Sequence, residues 1–383
     1  MISRNSINGA FPIKRLGEVV EFLDSKRRPV TESDRRAGPY PYYGANGIQG
    51  TIDEFIFDEP LVLLAEDGGH FGEPDRGIAY RISGKTWVNN HAHVLRPTSA
   101  IELAYLCRVL ENYDVTPFVT GTTRGKLTKA GASEIVIPLP PLAEQRRIAE
   151  VLDRAEALRA KRRAALAQLD SLTQSLFLDL FGDPATNPKK LPRVALSEVT
   201  TRITDGTHLT PKFVDSGVPF IFVKNVRNGS IDFQTDKFIS EEEHAALYKR
   251  CPVEEGDVLY TTVGATYGQA ASVGSFTKFA FQRHLAHLKP DPKKIVPSFL
   301  GTTMQLPLMK RQADRWARGV AQPTINLKEL REMVVPLPPI SLQREFARRV
   351  TAVEALKTAQ RTSLAELDAL FASLQHRAFR GEL

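Results

Sequence analysis

"PLPPLAEQR" occupies residues 138–146, and the closely similar "PLPPISLQR" occupies residues 336–344. The second copy begins 198 residues after the first (336 − 138), and the similarity continues without a gap to Phe181 and Phe379. The positions that recur unchanged at this offset are Ala149, Glu156, Ala157, Leu158, Arg163, Leu166, Ala167, Leu169, Asp170, Leu172, Ser175 and Leu176. A repeat this long that occurs only twice predicts two similar halves, each a globular body followed by a long helix.

Both copies have the apolar spacing of a long helix with one narrow apolar seam. Apolar residues recur every three or four positions, at Ile148, Leu152, Ala155, Leu158, Leu166, Leu169, Leu172, Leu176 and Leu180 and at Phe346, Val350, Val353, Leu356, Leu364, Leu367, Leu370, Leu374 and Ala378. Prolines precede each seam, and Gly182 and Gly381 follow, which are start and stop signals. Each helix of roughly 40 residues is ~60 Å long. We predict that the two pair as an antiparallel coiled coil about a pseudo-twofold axis.

The rest of the chain divides around these helices. The sequence predicts an α+β fold with a first mixed α/β body at 1–137, a central helical spacer at 138–182, a linker at 183–190, a second mixed α/β body at 191–335 and a C-terminal helical spacer at 336–383. The bodies share a frame: Leu64–Gly72 aligns with Tyr260–Gly268, and Asn89–His91 aligns with Gln282–His284. Their polar positions differ, which is typical of one scaffold carrying two recognition surfaces.

Composition narrows the class of protein. The 383 residues carry a formal net charge of +7 and a pI near 9.3, which fits an anionic partner. Cys107 and Cys251 stand far apart, one in each half, so we expect no disulfide and a reducing cytoplasm. The N-terminus opens no apolar run, and no stretch approaches the ~20 apolar residues of a membrane span. We therefore expect a cytoplasmic protein with no membrane association.

The chemistry-bearing motifs of the obvious enzyme classes are missing. An (Asn/Asp)-Pro-Pro-aromatic motif would mark an adenine methyltransferase, but the only Pro-Pro pairs follow Leu-Pro. Gly84-Lys85-Thr86 resembles the end of a phosphate-binding loop, but Ala79 stands where the first glycine belongs. His91 and His93 could share a strand face, without a Cys, Asp or Glu set to complete a metal site. We interpret the chain as non-catalytic, with no bound metal.

The layout resembles the specificity subunit of type I restriction–modification enzymes. The resemblance covers the whole chain and rests on "IPLPPLAEQRRIAEVLD" at 137–153, on Gly256-Asp257-Val258-Leu259 and on Gly264-Ala265-Thr266-Tyr267-Gly268. The first body departs from the pattern at Leu63–Gly68, and in the second copy Leu342 replaces the Glu of the Leu-Ala-Glu-Gln motif.

The resemblance implies a division of labour among subunits. Each body would read one half of a split double-stranded DNA target, and the paired helices would set the unspecified gap and dock two methylation (M) subunits. Those partners would carry S-adenosylmethionine and methylate adenine. Restriction (R) subunits, with Mg and ATP, would join for cleavage, while this chain would hold no cofactor and do no chemistry.

DNA binding needs cations for phosphates and polar side chains for base edges. The candidate cations are Lys26, Arg27, Arg28, Arg124 and Lys126 in the first body and Lys212, Lys224, Arg227 and Arg318 in the second. The candidate base contacts are Tyr42, Asn46, Asn90, Asn225, Asn228, Thr262, Tyr267, Arg283 and Gln322. The candidate subunit-docking residues, from the resemblance, are Gln145, Arg146, Gln343 and Arg344. For each DNA candidate, the alternative is an ordinary surface, turn or packing residue.

Two other functions remain open at this stage. The chain could be the specificity part of a fused restriction enzyme or an orphan specificity protein that regulates another system. It could also be a two-lobed scaffold that joins proteins through its helices and binds no DNA. Sequence-specific, salt-dependent binding to duplex DNA would exclude the scaffold.

Overall fold

A computed structural model describes residues 11–73, 76–121, 124–227, 229–274, 278–319 and 322–383. In these ranges the α-helices are α1 (Leu16–Val19), α2 (Leu103–Glu111), α3 (Lys129–Ser133), α4 (Leu142–Phe181), α5 (Glu241–Arg250), α6 (Pro297–Met304), α7 (Pro307–Trp316), α8 (Leu327–Glu332) and α9 (Ile340–Ala378). The expected pair of long helices is confirmed: α4 has 40 residues and α9 has 39. No helix in the described ranges is long and apolar enough to cross a membrane.

The strands before α4 are β1 (Ile13–Arg15), β2 (Val20–Phe22), β3 (Tyr40–Gly44), β4 (Gly47–Ile52), β5 (Phe57–Asp58), β6 (Leu61–Ala65), β7 (Ala79–Ile82), β8 (Lys85–Val88), β9 (Ala92–Pro97), β10 (Val119–Thr120), β11 (Lys126–Leu127) and β12 (Val136–Pro138). Those between α4 and α9 are β13 (Arg193–Ala195), β14 (Thr200–Asp205), β15 (Phe213–Val214), β16 (Val218–Ile221), β17 (Val226–Arg227), β18 (Ser230–Ile231), β19 (Phe238–Ile239), β20 (Val258–Thr261), β21 (Ala270–Ser272), β22 (Ala280–Phe281), β23 (Leu285–Pro290) and β24 (Val334–Pro336).

The chain forms two compact units, one from the described residues up to 165 with 360–383, and one from 166–359. In the first unit an antiparallel sheet has the strand order β2-β9-β6-β7. A second sheet has the order β4-β3-β8-β5, in which β3 and β8 run parallel. Strand β6, Leu61–Ala65, is completely buried because both of its faces carry apolar residues and both are covered.

The second unit repeats the antiparallel sheet and the parallel strand pair, but the remaining edge strand of its second sheet differs, because β15 pairs with β19 whereas β5 pairs with β8. Its antiparallel sheet has the order β14-β23-β20-β21, and its second sheet has the order β15-β19-β16-β22, with β16 and β22 parallel. The registers agree as well: Val62 pairs with Leu95 in the first unit, and Val258 pairs with Leu288 in the second. The mixed α/β domains predicted from the repeat are therefore confirmed as one fold that occurs twice.

Segments of α4 and α9 lie side by side in each unit. Arg159 of α4 bonds Asp368 of α9 at 2.6 Å in the first unit, while Lys357 of α9 bonds Asp170 of α4 at 3.1 Å in the second. These ion pairs are equivalent at the offset of 198, because Arg159 corresponds to Lys357 and Asp170 to Asp368. In each unit the two segments run antiparallel, as predicted.

The apolar seam is narrower than the sequence predicts. Leu158, Leu172, Leu356 and Leu370 were expected in it but are 38–53% exposed. The buried contacts concentrate near the domains instead. In the second unit, Phe177 and Phe181 of α4 pack with Phe299 of α6 and Phe346 of α9, at ring-centroid separations of 4.9–6.0 Å. This cluster joins the helices to the body of the second unit by apolar burial.

Candidate nucleic-acid interface

In the first unit several loops meet just beyond the end of β6. Glu66 donates its backbone N–H to the carbonyl of His91 (2.9 Å), and Leu127 donates to the carbonyl of Glu66 (2.7 Å). Asp67 and Lys126 form an isolated antiparallel bridge. We call this assembly loop cluster 1 and define it by residues 24–28, 44–49, 66–68, 89–91 and 124–127. Backbone hydrogen bonds therefore join three of its segments.

The second unit contains the same assembly at equivalent positions. Thr262 donates its backbone N–H to the carbonyl of His284 (3.0 Å), and Ile325 donates to the carbonyl of Thr262 (2.9 Å). Val263 and Thr324 form the matching bridge. Loop cluster 2 is defined by residues 205–209, 262–268, 282–284, 318–319 and 322–325. The expected shared frame thus extends to individual hydrogen bonds.

Loop cluster 1 is a network of opposite charges. The guanidinium of Arg27 lies 2.6 Å from a carboxylate oxygen of Glu66 and 3.5 Å from one of Asp24. Lys126 lies 3.0 Å from the second carboxylate oxygen of Glu66. Burial by itself would raise the pKa of Glu66, but hydrogen bonds from Arg27 and Lys126 outweigh it and hold that pKa below its usual value. Two predicted phosphate contacts are therefore already neutralised within the protein.

The edge of loop cluster 1 repeats this pattern. Arg124 lies 2.9 Å from Asp67, whose carboxylate is also 2.5 Å from Nδ1 of His91. Asn46 donates from its side chain to the carbonyl of Gly68 (3.0 Å). The structure thus brings together Arg27, Asn46, Asn90, Arg124 and Lys126, all predicted DNA contacts, around the segment 66–68.

Asp24, Glu66 and His93 form a group with the spacing of metal ligands. One ligand atom from each lies within 4.8 Å of the others. Sequence reasoning paired His93 with no carboxylate, because these residues come from three separate segments. The positive charge of Arg27 reaches both carboxylates, and Nδ1 of His93 lies 2.6 Å from Asp24. The group is satisfied by protein partners, which favours a structural role.

Loop cluster 2 has a different electrostatic character. Thr262 and Val263 replace Glu66 and Asp67, so loop cluster 2 has no carboxylate at these two positions. Arg283 is exposed, and the described polar contact of its side chain is Nε to Nε2 of His284 at 3.4 Å. Burial, together with the charge of Arg283, lowers the pKa of His284. Arg283 is therefore free of any carboxylate among the described residues, and it can accept a new partner.

Other predicted contacts in the second unit are partly engaged. Arg318 is highly exposed and lies 3.5 Å from Glu329. The hydroxyl of Tyr267 donates to Asp314, and the ammonium of Lys310 lies 3.9 Å from the centre of the Tyr267 ring. Gln322 is exposed, and its carbonyl accepts from the Thr324 hydroxyl (3.1 Å). Arg318 and Gln322 present accessible side chains, whereas Tyr267 is held against α7.

Several predicted cations are accessible. Lys26, Arg28, Lys212 and Arg227 are exposed and form no ion pair with any residue in the described ranges. Lys224 is also exposed, 3.9 Å from Asp236. Asn90 is exposed and its carbonyl lies 3.4 Å from Arg27. The side chains of these residues are therefore accessible for contact with phosphates or bases.

Three other predicted base contacts are buried. Tyr42 is 2% exposed, and its hydroxyl bonds the backbone N–H and carbonyl of Val30. The Asn225 amide donates to the carbonyl of Asp232 (3.0 Å), and Thr262 donates its hydroxyl to the carbonyl of His284 (2.9 Å). Burial gives these side chains a packing or loop-holding role, so the structure corrects their assignment. Asn228, also predicted, lies outside the described residues.

The predicted docking residues separate into two types. The side chains of Gln145 and Gln343 are 0% exposed. Gln145 bonds the carbonyls of Pro140 (2.8 Å) and Ala100 (3.0 Å), and Gln343 bonds that of Pro338 (2.8 Å). Burial makes both glutamines structural, which corrects that part of the prediction.

Arg146 and Arg344 are the neighbouring docking candidates. Both are exposed, and neither forms an ion pair with a described residue. They occupy equivalent positions one residue after the buried glutamines, so each unit presents one free guanidinium near the start of a long helix. These two residues remain candidates for contact with other subunits.

Sequence reasoning missed the acidic half of loop cluster 1. Asp24, Glu66 and Asp67 hold three of the predicted cations, yet none was singled out. The alignment of Leu64–Gly72 with Tyr260–Gly268 contained the signal, because it places Glu66 opposite Thr262 and Asp67 opposite Val263. Two adjacent acids at a position expected to face DNA indicate internal partners.

Taken together, the fold and the two loop clusters define an internally repeated, two-domain protein with long paired helical segments. The chain belongs to the family described as "Type I restriction modification DNA specificity domain", whose profile matches residues 10–168 and 194–369. Both copies of the domain are matched, which agrees with the internal repeat.

The individual relatives are named as specificity subunits of type I restriction enzymes. The chain is 40% identical over 145 residues to a putative type I restriction enzyme specificity subunit, S.HindORF215P, of Haemophilus influenzae, covering 38% of this chain and 37% of that one. It is 30% identical to the EcoBI specificity subunit of Escherichia coli over 67% of this chain and 60% of that one. With the EcoKI specificity subunit of Escherichia coli K12 it shares 24% identity over 90% and 82% of the two chains. The first two alignments thus span less than two thirds of those relatives.

Among solved structures, the type I restriction–modification S subunit of M. genitalium superposes with a TM-score of 0.62 at 16% identity, over 97% of this chain and 96% of that one. A chain from a structure concerning complex assembly and conformational transition of the type I R-M system gives a TM-score of 0.53 at 21% identity, covering 98% and 100%. These similarities establish a shared fold.

Proposed function

We propose that this chain is the non-catalytic specificity subunit of a type I restriction–modification complex, and that each of its domains recognises one half of a bipartite duplex DNA target in the cytoplasm. The observation that carries the proposal is the repeated backbone frame of the two loop clusters with different side chains on it. Bonds such as Glu66 N–H to His91 and Thr262 N–H to His284 are the same. The exposed polar groups around them differ, as two different half-sites require.

Partner binding follows from the same repetition. Arg146 and Arg344 present equivalent exposed cations beside the starts of α4 and α9, which supports the docking of two methylation subunits on equivalent surfaces. Those subunits would carry S-adenosylmethionine. Restriction subunits would bring ATP and Mg to the same complex. In this assembly the specificity chain selects the DNA site and positions the catalytic subunits on it.

The long helices would set the gap between the half-sites. Helix α4 has 40 residues, which corresponds to ~60 Å, between one and two turns of DNA at ~34–36 Å each. Four residues inserted after Ala164 and after its counterpart Thr362 would add ~6 Å to both helices and nearly preserve the seam. The methylated sequence should keep both half-sites and gain one or two unspecified base pairs.

Two-residue insertions at the same places are the matched control. They rotate the following seam by ~200° and should disrupt the pairing of the helices. An active complex with four-residue insertions and an unchanged gap would show that the helices do not set the spacing.

Methylation mapping of the host genome with and without this gene tests the proposal as a whole. We expect one bipartite motif, with two specified parts and a fixed gap, to lose its methylation when the gene is deleted and to regain it on complementation. An unchanged methylation pattern in a host that expresses the chain and its methylation subunits would contradict the proposal.

A further inference from the structure

The two most exposed large hydrophobic side chains in the described ranges lie in the two loop clusters. Leu209 is 83% exposed and belongs to loop cluster 2, and Ile48 is 64% exposed and belongs to loop cluster 1. Single exposed hydrophobic residues are common on protein surfaces and by themselves need no explanation. The pattern here is different, since one such residue stands in each candidate interface.

The backbone around Leu209 is held firmly. Gly206, at the root of the loop, lies so close to strand β22 that a Cβ would come within 2.2 Å of the Phe281 carbonyl oxygen. Thr207 donates its N–H to Phe281 (3.0 Å) and accepts from the N–H of Arg283 (3.0 Å). The hydroxyl of Thr207 donates to the carbonyl of Leu209 (2.9 Å). These bonds fix the loop beside Arg283 while its apolar tip stays in water.

Ile48 is held in a similar way. It follows the turn between β3 and β4, where Asn46 bonds the carbonyl of Gly68 (3.0 Å). The next residue, Gln49, accepts from the Asn89 side chain (3.0 Å). Ile48 therefore lies between Asn46 and Gln49, whose side chains are hydrogen-bonded to other segments of loop cluster 1. These bonds hold the backbone on both sides of the exposed Ile48 side chain.

The chemistry of DNA supplies a partner for such a side chain. Phosphates and sugars offer charge and polar groups, whereas the thymine 5-methyl group and the faces of stacked bases offer apolar surface. An aliphatic side chain on a firmly held backbone avoids the entropy cost of ordering its loop on contact, and it gains free energy for each CH₂ group that it buries. Its neighbours Arg283 and Asn46 are suited to the adjacent polar base edges.

We infer that Ile48 and Leu209 are base-contacting residues, each making apolar contact with base pairs of the half-site read by its own domain. This inference rests on the proposed function and adds to it a specificity determinant that is aliphatic. Contact with a thymine methyl group and partial insertion between stacked bases use the same apolar surface, and the experiment distinguishes them.

The test uses the full chain reconstituted with its methylation subunits, and it compares Leu209→Ala, Ile48→Ala and a control, Ile13→Ala. Ile13 is 47% exposed on β1, which precedes α1 and does not belong to loop cluster 1. We expect Leu209→Ala and Ile48→Ala each to weaken binding to the target duplex about tenfold, with unchanged binding to unrelated duplexes. The affinity that each variant loses should depend on the bases of only one half-site. The control Ile13→Ala should leave the affinity unchanged.

Modified duplexes identify the type of contact. Replacing each thymine of a half-site by uracil removes its methyl group, and wild type but not the Ala variant should lose affinity at one position if the methyl group is read. Fluorescence of 2-aminopurine placed at each step should rise on binding, and less so with the variant, if the side chain enters the stack. Wild-type insensitivity to both changes would overturn the inference.

Two further results would also overturn it. One is equal weakening of specific and unrelated duplexes, which indicates a general surface contact. The other is a loss of subunit assembly with unchanged discrimination, which places these side chains in a protein interface. If the wild-type complex shows no preference for any duplex, the proposed function itself fails. If the wild type discriminates between duplexes and the Ala variants discriminate equally well, only the present inference fails.

Discussion

Loop clusters 1 and 2 share backbone hydrogen bonds, but they differ in whether their positively charged side chains are paired with carboxylates. In cluster 1, Arg27 and Lys126 are paired with Glu66, and Arg124 is paired with Asp67. In cluster 2, Thr262 and Val263 stand in place of the two acids, and Arg283 has no carboxylate partner among the described residues. A cation near DNA can therefore serve to hold loops together or to contact the ligand, and its residue type does not reveal which.

The difference has an energetic consequence. Ion pairs that are removed from water contribute little when intact but leave a costly unpaired charge when one partner is lost. An exposed, unpaired guanidinium contributes little to stability but gains strongly on meeting a phosphate or guanine. We therefore expect charge removal in cluster 1 to act mainly on folding, and charge removal in cluster 2 to act mainly on DNA binding.

The largest expected effect is an exchange of one domain. Replacing residues 191–335 by the equivalent domain of a relative should change one half of the methylated sequence completely and leave the other half intact, because each cluster is built from residues of its own unit. Methylation mapping of the hybrid checks this. A simultaneous change in both halves would refute independent reading by the two domains.

Next in size is the loss of Arg27. Arg27→Ala leaves Asp24 and Glu66 largely buried without their guanidinium, and it should lower the free energy of unfolding of the first unit by about 3 kcal/mol. The comparison is His208→Ala, which removes an exposed pair with Asp205 and should change stability by less than about 1 kcal/mol.

Trp87 and Trp316 make this comparison measurable, since the chain has two tryptophans, one in each unit. Denaturant unfolding followed by fluorescence, in Trp87→Phe and Trp316→Phe backgrounds, reports each unit separately. Equal, small effects of Arg27→Ala and His208→Ala would show that the network around Glu66 is not a stabilising device.

A third prediction concerns binding. Arg283→Ala should relax one position of the target by ~1–3 kcal/mol if the guanidinium pairs with guanine, and it should leave folding unchanged because the side chain is exposed. Lys126→Ala should alter affinity less, since Glu66 already neutralises that ammonium. Competition assays at several salt concentrations separate the two. A larger binding defect for Lys126→Ala would reverse the assignment of roles.

The smallest expected difference is in acid stability. Burial by itself raises the pKa of Asp24, but interactions with His93 and Arg27 outweigh it and hold that pKa below its usual value of 3.8. Burial also raises the pKa of Glu66, but hydrogen bonds from Arg27 and Lys126 outweigh it and hold that pKa below its usual value of 4.5. In the second unit Asp257 is the comparable acid: burial is outweighed by its hydrogen bonds with His287, the backbone N–H of Glu254 and Lys289, and its pKa is lowered. Stability from these groups is present above the unfolded pKa and is lost as the pH falls below about 4.

Two acids in one network should therefore make the first unit the more acid-sensitive. Unfolding midpoints from the single-tryptophan variants should fall more between pH 6 and pH 3.5 for the Trp87 reporter than for Trp316. Asp24→Asn should reduce that difference. An equal fall in both reporters would mean that the second unit contains a matching set of acids elsewhere.

The sequence by itself determined the parts of this protein that depend on local pattern. Apolar spacing, preceding prolines and following glycines predicted α4 and α9, and the recurrence of residues such as Glu156 and Asp170 at one offset implied that the halves are equivalent. These signals are readable because helix formation and repetition are carried by residues close together, or at a constant distance, along the chain.

Only the tertiary structure decided which polar residues are available. Asp24, Arg27, Glu66 and Lys126 are spread over about a hundred residues of sequence, and the pairing of β2, β6 and β9 brings them within ion-pair distance. Gln145 was expected at a partner surface, but it lies buried against the Pro140 and Ala100 carbonyls. The reason is physical: whether a charge or an amide binds a ligand depends on the groups already within hydrogen-bond distance of it, and strand register and burial set that distance.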